Sequence, residues 1–204
     1  MPVVRRFSRY ANVKGHSVIF GKLWRLIGKV DWKDVERFDA SWKERIVLMA
    51  QYIAPEDVAV LDIGCGPMWL RGYLPEGVKY IGLDYTSRGD GSLVCDLNAE
   101  RIPKTEAEVF FISGCLEYIE DVPSFVSDVA TMARKCIVSY CGLDEFPDLR
   151  ERGKMGWKNG LTVDHLSGLF ESAGMERRVV TFMSNKTCVM VFENKAKSQT
   201  RSQL

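Results

Sequence analysis

Asp62 and Asp84, 22 residues apart, are the two acids whose placement points most directly to chemistry. Asp62 interrupts an apolar run of Val58, Val60, Leu61 and Ile63, and Gly64 and Gly66 follow at once in the stretch VAVLDIGCGP. A β-branched run of this kind suits a strand buried on both faces of a parallel sheet. The glycine pair lets the backbone turn sharply and leaves no Cβ to hold a ligand away from the main chain. Asp84 closes a second such run, KYIGLD, where a carboxylate can accept hydrogen bonds from both hydroxyls of a ribose. Two charge-assisted bonds of that kind contribute roughly 1.5 to 3 kcal/mol each. Ligands of open α/β sheets bind outside the carboxyl ends of the strands, so these residues mark the expected site.

The loop after Asp62 departs from the dinucleotide fingerprint. A GxGxxG turn would place glycine at position 69, whereas the chain has Trp69 preceded by Met68, and Pro67 removes an amide that a pyrophosphate could use. Phosphate cradling is therefore disfavoured. LDIGCGP instead resembles the first motif of the class I S-adenosylmethionine-dependent methyltransferases, whose cofactor has no phosphate to cradle, although that family often has a small residue where Met68 stands. The resemblance implies S-adenosylmethionine held by Asp62, Gly64, Cys65 and Gly66, with Asp84 and Tyr85 at the ribose. It also implies Asp96 facing the adenine amino group, Leu97 supplying an amide there, and Ser113 and Gly114 at the end of the fourth strand. Without a ligand, Asp62 would be an unexplained carboxylate in a buried run. Asp96, which precedes Asn98 by two residues, equally suits a turn.

The elements that must position these residues follow from periodicity. Strands are expected at 58–63, 79–84, 93–97, 109–113 and 135–140, with only a short helix between 68 and 74, weakened by Gly72, and none between the second and third strands. The segment GCLEYIED carries Glu117, Tyr118, Ile119 and Asp121, in the order the family shows after its fourth strand. Phe125, Val129 and Met132 then share a helical face, and Thr162 can cap a helix carrying Val163, Leu166, Leu169, Phe170 and Ala173. Two alternating segments, 178–183 and 187–193, form a hairpin. The resemblance, which covers 58–140, implies an α/β, Rossmann-like, seven-stranded and mostly parallel sheet of order 3-2-1-4-5-7-6. It would have an antiparallel C-terminal hairpin and an N-terminal helical cap. The expected organisation is a cap or lid over 1–54, the S-adenosylmethionine-binding domain over 55–194 and a polar tail over 195–204. Within the cap, Trp42, Ile46, Met49 and Ile53 recur at helical spacing before Pro55. Arg45 on that helix reads as a solvated side chain, with contact to the methionine carboxylate as the alternative.

Composition sets the bounds. A chain of 204 residues with 46% hydrophobic residues can bury a core as one domain. Its six cysteines contain no CxxC pair and read as small buried hydrophobes, so no metal site is expected. No apolar segment approaches 18 residues and the N-terminus lacks the pattern of a signal peptide, so a cytoplasmic location is expected. The net charge of +1 is unevenly spread: residues 1–30 hold seven Lys or Arg and no acid, Lys195, Lys197 and Arg201 sit in the tail, and the middle is acidic. Basic ends suit an anionic substrate, a membrane surface, nucleic acid or merely solvent. Phe20, Trp24, Leu26 and Ile27 cluster too densely for a solvated arm, so residues 1–30 are expected to close over the cofactor.

The chemistry implied is in-line displacement of a sulfonium methyl by an O, N or C nucleophile. Alignment and desolvation can supply most of the catalysis, so no strong catalytic constellation is required. Tyr118 and Tyr140, at the ligand edge, are the catalytic candidates. His165 lies on the polar side of its helix, and His16 is the other histidine. A small-molecule or glycan acceptor, anionic if the basic segment lines the pocket, is the favoured reading. An RNA methyltransferase and a non-catalytic S-adenosylmethionine-binding subunit are the alternatives.

Overall fold

The computed structural model describes residues 34, 38–89 and 91–197, and the backbone of Val3–Val4. Its apolar runs pair into one sheet of eight strands: β1 (Val3–Val4), β2 (Ala59–Ile63), β3 (Lys79–Asp84), β4 (Leu93–Val94), β5 (Val109–Ser113), β6 (Lys135–Tyr140), β7 (Met175–Phe182) and β8 (Cys188–Asn194). The order is β1-β7-β8-β6-β5-β2-β3-β4. Counted from β2, this is the expected 3-2-1-4-5-7-6, with β8 antiparallel to both β6 and β7. β1 adds an eighth strand, pairing Val3 and Val4 in parallel with Val179 and Val180 at the end of the sheet opposite β4.

Alternation along the strands divides the core. Leu61, Phe110, Ile112 and Val138 face one way, onto helices α2 (Val122–Met132) and α4 (Val163–Ser172), through Val126, Val129, Leu166 and Phe170. Val60, Val109, Phe111 and Ile137 face the other way, onto Ile46, Met49 and Ala50 of helix α1 (Lys43–Ala50) and onto Ile53. Asp39 caps a 3-10 turn that leads into α1, and Asp121 and Thr162 cap α2 and α4. The parity has a consequence at the carboxyl edge. Asp62, Ser113 and Ser139 continue the Val60, Phe111 and Ile137 rows, so the polar ends of three adjacent strands all face α1.

Several boundaries move. β2 begins at Ala59, and Val58 is 61% exposed with its amide on Glu108. β4 has only two residues, because Cys95 makes one further ladder bond to Asp84 before the chain turns. The short crossover after β2 is a 3-10 helix, Trp69–Tyr73, and no helix lies between β3 and β4 among the described residues. Residues 195–197 continue helically from β8, where a structureless tail was expected, since Asn194 Oδ1 accepts the amides of Ala196 and Lys197. The lid expected over residues 1–30 lies outside the described residues apart from Val3–Val4, as does His16. Among the described residues, no helix is long and apolar enough to cross a membrane.

A buried ion network fastens the amino ends of the strands, away from the carboxyl edge. Asp57 accepts from Lys135 Nζ at 2.7 Å, from Arg134 and from the amide of Ala54. Arg134 also meets Glu108 at 3.0 Å, and Lys135 donates to the carbonyl of Tyr52.

Candidate functional site

The turn after β2 is built for close approach. The amides of Gly64 and Cys65 donate to the carbonyl of Leu83 at 2.8 and 3.0 Å, which folds the loop back onto β3. Gly64 and Gly66 have φ of +71° and +47°, a region that side chains rarely adopt. Met68 also stands at positive φ, 55°, so this non-glycine residue accepts a left-handed conformation where the family often has a small one. The Gly66 amide donates to Asp84 Oδ2 at 2.9 Å across the strand gap. Asp84 is therefore buried at the carboxyl end of β3, directly beside the glycine turn. Its carboxylate also meets Arg88, whose Nε lies 3.1 Å from Oδ2 and whose Nη2 donates to Oδ1 at 3.3 Å.

Asp62 sits one strand away, 4% exposed, accepting from the Tyr80 hydroxyl at 2.8 Å. Burial pushes its carboxyl up to about 7; the Tyr80 hydrogen bond opposes this and nearby Asp84 adds to it. Cys65 and Cys115 flank the same turn. Burial raises both thiols well above their ordinary range.

Arg45 corrects the sequence reading. It is not a solvated helix residue: Nε donates to Ser113 Oγ at 2.9 Å, and Nη2 lies 2.6 Å from where a Cβ on Gly114 would stand. Gly114, at φ +65°, leaves the room for the guanidinium, and its amide donates to Ser139 Oγ at 2.9 Å. Burial lowers the Arg45 pKa, against the opposing charges of Glu117 and Tyr118. Arg45 precedes Met49 by four residues and follows Trp42 by three, so it flanks the buried stripe of α1. That offset was a signal available in the sequence.

Glu117, on the 3-10 turn after β5, is the acid that the sequence placed in a motif without a role. It is buried; Oε1 accepts the Cys141 amide at 2.9 Å and Oε2 has no hydrogen-bond partner among the described residues. Burial raises its pKa, opposed by the Cys141 amide and the charges of Arg45 and Arg152.

The two tyrosines part company. The Tyr140 hydroxyl donates to Asn159 Oδ1 at 2.6 Å and accepts from the Leu161 amide and Arg152 Nη2, at 2.9 and 3.2 Å. It is fully buried and committed to holding the loop 141–161. Tyr118 is half-buried, next to Gly156 of that loop. The loop carries a short helix, α3 (Leu149–Lys154), capped by Asp148. Arg152 on α3 is 2% exposed, donates to the carbonyls of Cys141, Phe146 and Asn159, and lies over the Trp157 ring at 4.7 Å. Asn159 donates in turn to the carbonyls of Leu116 and Ile119. Sequence reasoning missed Arg152 and Asn159, since the segment has no periodicity.

The remaining sequence candidates line the edge beyond β3. Tyr85 is 41% exposed, and Leu97 packs against the core. Asp96 is exposed and accepts the Asn98 amide at 3.0 Å, the turn geometry weighed above. Among the described residues no cluster of three metal-ligating side chains occurs.

No family model and no curated protein matches the sequence. Solved structures do match the fold. The PH0226 protein from Pyrococcus horikoshii OT3 is 15% identical, with a TM-score of 0.61 over 85% of this chain and 99% of that one. CalO1, a methyltransferase in calicheamicin biosynthesis solved with SAH bound, is 16% identical, with a TM-score of 0.58 over 75% of this chain and 54% of its own. NcsB1, an O-methyltransferase from neocarzinostatin biosynthesis solved with S-adenosylmethionine and 2-hydroxy-5-methyl naphthoic acid, is 16% identical, with a TM-score of 0.57 over 72% and 52%. This chain spans about half the length of the latter two. Strand order, the antiparallel C-terminal pair and these likenesses agree: the chain has the Rossmann-like fold of the class I S-adenosylmethionine-dependent methyltransferases.

Proposed function

We propose that the chain is an S-adenosylmethionine-dependent methyltransferase acting on a small-molecule or glycan-type acceptor. The observation that carries this reading is the buried Asp84 carboxylate held against the Gly66 amide, across a turn that Pro67 and Trp69 make unsuitable for a pyrophosphate. The residues fit a nucleoside ligand without phosphates: a turn of two glycines at positive φ, and an acid at the end of the neighbouring strand.

Asp84 would accept from the ribose hydroxyls, Gly64 to Gly66 would present backbone to the ligand, and Asp96 and Leu97 would flank the adenine. Arg45, fixed by Ser113 and seated against Gly114 at the carboxyl edge, suits the methionine carboxylate. When bound, the cofactor supplies a methyl group already activated by a sulfonium centre. The chain's task is then to align the acceptor, exclude water and receive a proton. Glu117 Oε2, buried and without a hydrogen-bond partner among the described residues, is the better proton acceptor for an O–H or N–H group, and Tyr118 the better orienting hydroxyl. Tyr140, with its hydroxyl committed to Asn159, Leu161 and Arg152, belongs to the scaffold. The basic N-terminal sequence favours an anionic acceptor.

The test is incubation with methyl-labelled S-adenosylmethionine and a panel of hydroxy acids, phenols and sugar acids. Label on a small molecule supports the reading. Label confined to RNA and abolished by salt, or no transfer to any acceptor despite cofactor binding, overturns it.

A further inference from the structure

The cofactor cradle is filled by two of the protein's own side chains. Arg88 is ion-paired with Asp84: Nη2 donates to Oδ1 at 3.3 Å and Nε stands 3.1 Å from Oδ2, while the Gly66 amide donates to Oδ2. A ribose presents two vicinal hydroxyls and would draw on the same two oxygens, so Arg88 and the ribose compete for Asp84. The pair is dry: the side chains of Arg88 and Asp84 are 2% and 5% exposed. Arg88 is covered by Phe38 and Tyr85, whose ring centroids lie 5.5 and 5.9 Å from its guanidinium carbon.

Phe38 makes the second obstruction independently. Its ring reaches within 2.6 Å of the position a Cβ on Gly66 would occupy, so it fills the space that the glycine leaves open to a ligand. Trp69 and Trp42 hold it edge-on, with centroids at 6.3 and 5.9 Å. The Arg88 amide donates to Ser92 Oγ and the Ser92 amide to the Gly89 carbonyl, both at 2.9 Å, and Gly89 and Gly91 stand at positive φ with open space around them.

We infer that Arg88 and Phe38 form an internal latch on the cofactor site, and that S-adenosylmethionine binds only to the population in which both have left Asp84 and Gly66. The inference rests on the cofactor reading above. The free protein is then largely closed, and its apparent affinity is the intrinsic affinity reduced by the open fraction. Arg88 acts through Asp84, and Phe38 acts through both Gly66 and Arg88. The latch therefore sets how tightly and how fast the cofactor is taken up without contributing to the transfer itself.

Calorimetry and stopped-flow tryptophan fluorescence with S-adenosylhomocysteine on the full chain test it. Arg88→Ala should bind at least about tenfold more tightly than wild type, as expected if no more than about a tenth of the free protein is open. Phe38→Leu should also tighten binding, and Arg88→Ala should have no effect in an Asp84→Asn background. The wild-type binding rate should level off with ligand concentration at the rate of opening, and that plateau should rise in Arg88→Ala, where only Phe38 has still to leave. The wild-type kinetics need no variant to fold. Equal or weaker binding by both single variants, with a wild-type rate that rises linearly, overturns the latch. Absence of binding in wild type and in every variant instead overturns the cofactor reading, so the two failures are separable.

Discussion

Replacing Asp62 with Asn should change the pH dependence of stability in a defined direction. Burial raises the Asp62 carboxyl from 3.8 to about 7 in the folded protein. A raised folded pKa means that the group favours the folded state fully below its unfolded pKa, and that this contribution is lost as pH rises through the folded one. Between those values the unfolded chain gives up the proton and the folded chain keeps it. At 1.36 kcal/mol per unit, wild type should lose about 2.5 kcal/mol relative to Asp62→Asn between about pH 5 and pH 8, most of it below pH 7. Asn keeps a carbonyl oxygen that can accept from Tyr80, so the comparison isolates ionisation from the hydrogen bond. Denaturant unfolding of both proteins at fixed ionic strength measures the difference. A difference that stays flat over this range would show that Asp62 is ionised in the fold, and the burial argument would fall.

Three further substitutions separate scaffold from site. Asp57→Ala should cost about 3 kcal/mol in denaturant unfolding, because Lys135 and Arg134 lose a buried partner, while affinity for S-adenosylhomocysteine stays unchanged at the far end of the strands. Arg152→Met should cost about 2 to 4 kcal/mol, given the carbonyls and the Tyr140 hydroxyl it leaves unpaired, and should speed proteolysis within 141–161. Asp84→Ala should weaken S-adenosylhomocysteine binding at least about tenfold by calorimetry, even though it also frees Arg88, since two charge-assisted acceptors are lost.

What could be read from the sequence was what depends on local pattern. The strand, glycine turn and terminal acid at Asp62, Gly64, Gly66 and Asp84 are set by runs of a few residues, and they stand where expected. The strand order followed from the resemblance and from the C-terminal hairpin. Side-chain direction was harder. Arg45 reads in the sequence as solvated, with the methionine carboxylate as the alternative, yet its offset from Trp42 and Met49 turns it onto Gly114. Arg88 lies in a glycine-rich loop without periodicity, and only its four-residue offset from Asp84 hints at the pair. Tyr140 was expected at the ligand edge, and it is at the edge, but its hydroxyl belongs to Asn159, Leu161 and Arg152, contacts set by a loop with no pattern. Two-residue strands such as β1 and β4 carry too few side chains to register as alternation.

The central claim is that the edge between β2 and β3 takes a nucleoside cofactor without phosphates. Calorimetric titration of the full chain with S-adenosylhomocysteine and, separately, with NAD tests it most directly. Saturable binding of one S-adenosylhomocysteine per chain with no heat from NAD is the expected result, and saturable NAD binding with none to S-adenosylhomocysteine would contradict it.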